Sequence, residues 1–256
     1  MSGRRGRVVG TILPVAVGAI IFVGAWQLVV VIGGYPPYIL PDPLTVGSRF
    51  ASAWADGTLA GHALVTLQEI VLGFVVGAIA GLLVGYVIAR SRLVDLVVSP
   101  YLVAAQSTPV LALAPLLILW FGPGLLSKVV ICGLIVFFPV AISTLVGLRT
   151  VDAGLLELGR SLRASRRQVL LTIEIPSALP SVMGGIRVGV TLAVVGAIVG
   201  EWAGADKGLG LLILLAQGSL FDTPLLFAAL LTVALIGVGL YGITVLVERR
   251  VIGDRG

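Results

Sequence analysis

The chain has 256 residues, of which 58% are hydrophobic and only 11% are charged, with 17 Lys and Arg against 12 Asp and Glu. Soluble domains carry about 25% charged residues, so this composition excludes an ordinary water-soluble globular protein. The single cysteine and the single histidine exclude a disulfide framework and a zinc site built from clustered Cys or His. The sequence therefore predicts an all-α polytopic membrane protein.

Six stretches are long and apolar enough to cross a bilayer, which takes about 20 mostly apolar residues per helix. They cover approximately residues 11–32, 65–89, 96–120, 126–148, 182–199 and 225–247. The first stretch is longer than the apolar core of a secretory signal peptide, which has about 7–15 residues, so we expect it to be a true span. The prediction is one transmembrane domain over residues 1–256 with six transmembrane helices.

Basic residues are divided unevenly between the two sets of connecting segments. With the N-terminus inside, 14 of the 17 lie in or beside inner segments: Arg4, Arg5, Arg7, Arg90, Arg92, Arg149, Arg160, Arg163, Arg166, Arg167, Arg187, Arg249, Arg250 and Arg255. The outer segments hold Arg49, Lys128 and Lys207. The positive-inside rule therefore predicts that both termini are cytoplasmic. We interpret these arginines as topology signals, so the lipid membrane is an expected partner and nucleic acid is not.

Glycine recurs at every fourth position of the second span, at Gly73, Gly77, Gly81 and Gly85. This spacing places all four on nearly one helix face, an arrangement that lets membrane helices approach closely. Two interpretations stay open. The face is either a plain packing surface or a seam along which the helix slides when a transporter opens and closes.

Pro109 and Pro115 fall within the C-terminal half of the third span. Each removes a backbone donor and frees a carbonyl group, so both predict kinks. Gln106, Ser107 and Thr108, together with Pro109, are candidates to line a translocation pathway. The alternative is that these polar side chains only satisfy the broken backbone.

Glu201 and Trp202 end the fifth span at the predicted outer interface. One interpretation is a solvated helix end with Lys207 nearby, and the other is an outer gate or a contact to an external binding protein. His62, at the start of the second span, is interpreted as a solvated or capping residue. We expect no carboxylate pair within the spans.

The inner segment 149–180 predicts two short helices. Asp152 is a candidate N-cap for the first helix, and Ser165 with Gln168 forms a capping-box pattern for the second. The second helix carries three apolar residues on one face: Val169, Leu170 and Ile173. The segment is either an interfacial helix that lies on lipid headgroups or a docking element for a cytoplasmic partner. Pro176 and the proline at 180 are expected to end the second helix.

The same inner segment resembles the EAA loop of binding-protein-dependent ABC transporter permeases. That motif runs Glu-Ala-Ala, three residues, Gly, nine residues and Ile-x-Leu-Pro. Glu157, Ile173 and Pro176 match it at the right spacing, and Ile175 replaces the leucine conservatively.

Two departures from the motif are visible. Leu158 and Gly159 replace the two alanines, and Arg163 stands at the position of the motif glycine. If this position adopts a left-handed turn between the two helices, arginine there costs about 1 kcal/mol.

Other short motifs, in the same order, resemble the permease branch for nitrate, sulfonates, taurine, pyrimidine thiamine precursors and riboflavin. They are Leu40-Pro41-Asp42-Pro43, Ser107-Thr108-Pro109, Ala114-Pro115-Leu116, Trp120-Phe121-Gly122, and Glu201 followed by Gly208-Leu209-Gly210.

This resemblance implies an ABC importer type I-like permease fold in the cell (inner) membrane. It also implies four kinds of partner: a second permease copy, as a homodimer, two cytoplasmic ABC ATPase subunits, an external solute-binding protein and the lipid membrane. The chain lacks a G-x-x-x-x-G-K-[ST] motif, so we expect it to be no enzyme and to bind no cofactor, with ATP used by the partner subunits. The expected solute is small, organic, and polar or anionic.

The resemblance also assigns the ATPase-coupling residues of the inner segment. They are Glu157, Gly159, Arg163, Ser165, Arg166, Arg167, Val169, Leu170, Ile173 and Pro176. The alternative functions are a channel or secondary transporter, a membrane-embedded enzyme and a structural scaffold. A secondary transporter would show paired intramembrane charges or inverted repeats, and Glu69 is the only other candidate acid within a span.

Overall fold

The computed structural model describes the backbone of residues 3–253 and, within that range, all side chains except those of residues 3–13, 15, 107 and 111. The side chains of Arg4, Arg5 and Arg7, and the whole of Arg255, therefore lie outside the described residues. All regular secondary structure in the described range is helical. The predicted all-α class is confirmed.

Eleven α-helices and one π-helical turn follow one another along the described chain. Their bounds are α1 Gly3–Gly33, α2 Pro43–Ala55, α3 Thr58–Arg90, α4 Arg92–Ser107, α5 Val110–Phe121, α6 Leu125–Arg149, α7 Ala153–Ser161, α8 Arg166–Val169, the π-helical turn Leu170–Glu174, α9 Ile175–Ala203, α10 Leu209–Gln217 and α11 Thr223–Ile252.

Five helical stretches in the described range are long and apolar enough to cross a membrane: Ala16–Gly33, Thr58–Arg90, Leu125–Arg149, Arg166–Ala203 and Thr223–Ile252. They overlap five of the six predicted spans. The sixth, 96–120, is divided between α4 and α5, neither of which is long enough alone.

The prediction of one continuous third span is therefore wrong, and Pro109 is the reason. Thr108 has extended backbone angles (φ −79°, ψ 123°), as expected for a residue before proline, and Pro109 is the N-cap of α5. Pro115 lies inside α5 without interrupting it. One proline thus ends a helix, while the other is accommodated within one.

The expectation that Pro176 and Pro180 end the inner helix is also wrong. Helix continues from Arg166 through the π-helical turn to Ala203. Pro176 is the second residue of α9 and follows the π-helical turn directly, so it lies where the regular α-helical hydrogen bonding is already interrupted. Pro180 lies within α9, as membrane helices tolerate when neighbouring groups satisfy the freed carbonyl.

Contacts divide the chain into two compact units, and the predicted single domain stays a prediction. One unit comprises the chain up to Ala60 together with Leu212–Leu231. In it, the rings of Trp26 and Phe227 stack at 5.5 Å, and Arg49 Nε donates to Asp222 Oδ2 at 2.8 Å.

Helix α2, in the same unit, begins where the sequence places an aspartate before a proline. Asp42 accepts hydrogen bonds from the backbone N–H groups of Leu44 and Thr45, both at 3.0 Å. The Thr45 hydroxyl also donates to Asp42, and these bonds hold the pKa of the Asp42 carboxyl below its ordinary value. This N-cap starts α2, and Asp42 itself has an extended backbone conformation.

The second unit comprises Gly61–Leu211 and the chain from Thr232 onward. Its main buried cluster brings together residues of α3, α6 and α9: Ile70, Ala78, Cys132, Val136, Val140, Ala193, Val194 and Ala197. A second cluster joins Ala114 and Leu117 of α5 to Ile131 and Val199. Helix α6 contributes to both clusters.

Glycines line α6 on two sides. The four glycines of α3 all face it, and a Cβ on Gly73 or Gly77 would overlap α6 atoms, with Gly133 Cα 2.9 Å from a Cβ on Gly77. Gly81 and Gly85 would place a Cβ 2.8 and 2.5 Å from carbonyl oxygens of Phe137 and Ala141. On the other side, four glycines of α9 also face α6, with Gly185 the nearest of them: Gly185, Gly189, Gly196 and Gly200. The glycine spacing therefore marks a true packing face.

We predict that Gly77→Ala lowers the melting temperature of the purified protein. The new methyl group must separate α3 from the α6 backbone, and overpacking of this kind costs about 1–3 kcal/mol, or roughly 2–10 °C for a chain of this size. The matched control is Gly184→Ala in α9, because a Cβ there meets nothing within 4 Å. A Gly77→Ala protein that melts with or above wild type would contradict this packing.

Candidate functional site

The predicted inner segment forms the two short helices α7 and α8. Asp152 Oδ1 accepts a hydrogen bond from the N–H of Leu155 at 3.1 Å and caps α7. At α8, Ser165 N donates to Gln168 Oε1 at 2.8 Å, and Gln168 N donates to Ser165 Oγ at 3.3 Å. Both predicted caps are confirmed, so local sequence alone starts each helix.

A Schellman motif ends α7 and turns the chain toward α8. Ala164 N donates to Gly159 O and Arg163 N donates to Arg160 O, both at 2.9 Å. The residue at its left-handed position is Arg163, with φ +54°. The expected left-handed turn is therefore present, and a side chain occupies the position that normally favours glycine.

The apolar residues on α8 and the turn that follows it do not all face outward. Val169 and Ile173 pack over Gly159, where an added Cβ would lie 3.3 Å from Val169 Cγ2 and 3.2 Å from Ile173 Cδ1. Val169, Leu170 and Ile173 are all half-buried within this chain. We expected this face to be the docking surface, but much of it holds α7 and α8 together.

The exposed apolar surface of the inner segment lies on other residues. Leu158 is 54% exposed and Leu162 is 73% exposed, and both belong to α7 or its C-cap. Leu155 and Leu171 are exposed as well. We call these four residues the leucine surface.

Charged residues lie close in sequence to the leucine surface. Glu157, Arg166 and Arg167 are all exposed, and within the described side chains none of them forms an ion pair. Pro176, also exposed, starts α9. The inner segment thus presents apolar and charged groups together on a preformed pair of helices.

The pathway candidates lie at the break between α4 and α5. Gln106, Thr108 and Pro109 are exposed, and Ser107, whose side chain is not described, is the last residue of α4. Thr108 Oγ1 donates to Ala104 O at 3.3 Å, so this hydroxyl satisfies one carbonyl that the break leaves free. The local role is present for Thr108, and lining of a pathway stays a prediction.

Glu201 is buried, with 1% of its surface exposed, so the interpretation of a solvated helix end is wrong. Thr66 Oγ1 donates to Glu201 Oε1 at 2.6 Å, and the N–H of Gly210 donates to Glu201 Oε2. Leu209 N in turn donates to Thr66 Oγ1 at 2.8 Å. The Glu201 carboxylate therefore holds the backbone that follows α9 against α3. The neighbouring Trp202 is 48% exposed.

Gly208 and Gly210, which follow α9, allow the backbone to come close to the Glu201 carboxyl group. Gly208 has φ +137°, and a Cβ there would overlap the Glu201 carboxyl group. A Cβ on Gly210 would lie 2.8 Å from Glu201 Oε2. His62, expected to be solvated or capping, is half-buried with Nδ1 3.0 Å from Gly208 N and 2.7 Å from Gly208 O. The Gly208-Leu209-Gly210 motif is thus a close backbone wrap around a buried carboxylate.

A second buried acid is Glu69, which the sequence offers only as a candidate acid of a secondary transporter. It is 1% exposed, and its Oε1 lies 3.6 Å from Nζ of Lys128, which is also buried and donates to Pro123 O at 2.9 Å. Thr66, which donates to Glu201 at 2.6 Å, lies one helical turn before Glu69 on α3, so the two buried acids are neighbours. The expectation of no carboxylate pair within the spans is therefore wrong, as is the placement of Lys128 in an outer connecting segment.

One sequence signal could have revealed this cluster. His62, Thr66 and Glu69 follow at helical spacing and lead directly into Gly73 and Gly77 on the same face of α3. The glycines show that this face is buried, and polar side chains on a buried face need partners. The partners themselves come from α6 and α9, which no local pattern connects to α3.

We predict that Glu201→Ala destabilises the protein, because it removes the acceptor of the Gly210 N–H and of the Thr66 hydroxyl. Each buried donor left without an acceptor costs about 1–3 kcal/mol. The melting temperature should fall by several degrees, and the segment 204–210 should become more sensitive to protease. Asp206→Ala, at an exposed position, is the matched control. Equal stability of the two variants would rule out the anchoring role.

The sequence is similar to a family of transport proteins and to individual members of it. Residues 73–253 match the family described as "Binding-protein-dependent transport system inner membrane component". The riboflavin transport system permease protein RibX of Chloroflexus aurantiacus is 44% identical over 89% of this chain and 84% of its own length. The putative aliphatic sulfonates transport permease protein SsuC of Bacillus subtilis is 34% identical over 97% of this chain and 88% of its own length.

The fold is similar to that of solved transporter chains. A chain of the MetNI methionine ABC transporter, in an inward-facing conformation, aligns with a TM-score of 0.65 at 19% identity, covering 75% of this chain and 95% of that one. A chain of an amino acid ABC transporter aligns with a TM-score of 0.59 at 22% identity, covering 79% of this chain and 98% of that one. With a family match over most of the sequence and a relative at 44% identity, the chain belongs to the binding-protein-dependent ABC importer permeases, a family of multi-pass membrane transport subunits.

Proposed function

We propose that this permease forms the translocation pathway of an importer that contains two copies of the chain, two cytoplasmic ABC ATPase subunits and an external solute-binding protein. The observation that carries the proposal is the preformed helix pair α7–α8 with its exposed leucine surface. Such a surface is costly to leave in water and is typical of a protein–protein contact. Residues 1–256 would act as one transmembrane domain.

The leucine surface is the proposed docking site for the ATPase. Leu158 and Leu162 would be buried in a groove of the ATPase, and Glu157, Arg166 and Arg167 would form charge pairs at the rim. Val169 and Ile173 would contribute from below, by keeping α7 and α8 together over Gly159. This assignment moves the apolar contact from α8, where the sequence places it, to α7.

The orientation follows from the position of this site. Docking of a cytoplasmic ATPase requires the inner segment 149–180 to be cytoplasmic, in agreement with the excess of arginine there. Both termini would then be cytoplasmic, and the chain would lie in the inner membrane. The end of α9, with the exposed Trp202, would face the external binding protein.

The proposed solute is a small polar or anionic organic molecule. The names of relatives support this class: riboflavin for RibX, aliphatic sulfonates for SsuC, and formylaminopyrimidine for ThiX of Halalkalibacterium halodurans, which is 36% identical over 79% of this chain and 80% of its own length. Gln106, Ser107, Thr108 and Pro109 would line its path at the break between α4 and α5. Most of the selectivity would belong to the external binding protein.

The buried Glu69–Lys128 pair is the paired intramembrane charge expected of a secondary transporter. We assign it a structural role, because the neighbouring Glu201 holds the Gly208–Gly210 backbone rather than facing an open cavity. The glycine face of α3 would likewise be a packing surface, and transport would not require α3 to slide along α6.

We predict that the ATPase co-purifies with the wild-type permease and is lost when the charged rim of the docking site is altered. Glu157→Ala and the charge-reversed pair Arg166→Glu/Arg167→Glu should each reduce the retained ATPase severalfold in gentle detergent or nanodiscs. The matched control is Arg249→Glu/Arg250→Glu, which makes the same charge change at two exposed arginines near the end of α11. An ATPase that never associates with wild type would contradict the importer and favour a channel or secondary transporter.

We also predict that the left-handed turn at position 163 controls docking. Arg163→Val should weaken ATPase retention by about tenfold, because a β-branched residue tolerates positive φ poorly and pays roughly 1–2 kcal/mol there. Arg163→Gly should retain the ATPase, since glycine adopts this conformation freely. Arg160→Val, in α7, removes the same charge at an ordinary helical position and serves as the control. Equal retention by Arg163→Val and Arg160→Val would contradict the prediction.

A further inference from the structure

Two ion pairs bracket the inner segment 149–180 and connect it to other helices of the same unit. At its start, Arg149 Nη2 lies 2.7 Å from Asp95 Oδ2 on α4. Near its end, Arg90 at the last residue of α3 forms a two-pronged contact with Glu174, with Nη1 2.9 Å from Oε1 and Nη2 bonded to Oε2. The segment is therefore joined to α3 and α4 as well as to α6 and α9, between which it lies in sequence.

The Arg90–Glu174 contact is the more enclosed of the two. Glu174 is buried, with 9% of its surface exposed, and the Arg90 guanidinium also lies 5.0 Å from the centre of the Tyr86 ring. Bidentate pairing of this kind fixes both the distance and the orientation of the two groups. Arg90 was interpreted from sequence as a topology signal alone, and the structure gives it a defined partner.

Local helix geometry supports the special position of Glu174. It is the last residue of the π-helical turn Leu170–Glu174, between α8 and α9. A π-helical turn inserts an extra residue into a helix and is often found at functional sites. The turn displaces the following side chains around the helix axis, and here Glu174 reaches the end of α3.

The Asp95–Arg149 pair joins the inner segment to a different helix, α4. Asp95 lies in the first turn of α4, and α4 ends at the Thr108–Pro109 break that holds the pathway candidates. A displacement of Arg149 would therefore act on the helix that ends at the break. The Arg90–Glu174 pair acts on α3, whose glycine face is packed directly against α6.

We propose that the Arg90–Glu174 and Arg149–Asp95 pairs are the positioning contacts that pass movement of the docked inner segment to α3 and α4, and so to the break at Thr108–Pro109. This proposal rests on the proposed function, because it requires an ATPase that docks on the leucine surface. The four residues touch neither ATP nor solute. They make the inner segment and the two helices move together.

The test uses the permease co-purified with its ATPase in nanodiscs, with Ala105→Cys as a reporter. Ala105 is exposed near the end of α4, and the native Cys132 is fully buried and should not react. The rate of labelling by a polar maleimide is measured without nucleotide and after trapping with MgATP and vanadate. In the wild-type background we expect the rate to differ severalfold between the two states.

Glu174→Gln and Asp95→Asn should each abolish most of this nucleotide dependence while the ATPase remains bound. The charge-swapped pair Arg90→Glu/Glu174→Arg should restore it, because the ion pair is then present with its two ends exchanged. The matched control is Glu248→Gln, which breaks the Arg187–Glu248 pair between α9 and α11, 2.6 Å long and of similar exposure, but outside the inner segment.

The possible results separate this proposal from the proposed function. Failure of the ATPase to bind the wild-type permease overturns the proposed function itself. Bound ATPase with no nucleotide dependence in wild type, or with full dependence in Glu174→Gln and Asp95→Asn, overturns the positioning role. An equal loss in Glu248→Gln also overturns it, because the effect would then be common to any ion pair in this unit.

Discussion

Close contact between the backbones of α3, α6 and α9 is the constraint on which the rest of this permease depends. In a bilayer there is little hydrophobic driving force between helices, so association relies on van der Waals contact at short distance. Glycines on α3 and on α9 meet α6 from two sides and allow that distance. The contacts of Glu201, Glu69, Lys128, Arg90 and Arg149 all involve this three-helix core or its ends.

The end of the core that holds Glu201 shows how a membrane protein accommodates buried charge. Glu201 is enclosed by a hydroxyl group and by the backbone that wraps over it at Gly208 and Gly210. Glu69 and Lys128 are enclosed beside it as a pair. Because an uncompensated buried charge is very unfavourable, these groups determine which segments must meet, and they hold the chain that follows α9 in one place.

The inner segment lies at the opposite end of the core. The contacts of this segment are of two kinds. Val169 and Ile173 over Gly159 hold α7 and α8 together, and they leave Leu158 and Leu162 exposed. The ion pairs of Arg90 and Arg149 instead join the segment to α3 and α4. We infer that the exposed groups serve docking and that the ion pairs serve the transfer of movement.

The sequence by itself determined the features that depend on neighbouring residues or on composition. It determined the membrane class, five of the six spans and the caps at Asp152 and Ser165, because hydropathy and helix capping act within a few residues. The EAA-loop resemblance identified the family for the same reason, since its spacing is a linear pattern.

Only the tertiary structure decided which side chains meet across the chain. Glu201 and Thr66 are 135 residues apart, and Arg90 and Glu174 are 84 residues apart, so no local pattern could pair them. The absence of a local signal for distant partners also explains why Val169 and Ile173 were expected to face outward. For the same reason, Pro109 and Pro115 were both expected to kink one continuous helix. Partners brought in by packing decide whether a buried charge is satisfied and which apolar face is left exposed, and those partners lie far away in sequence.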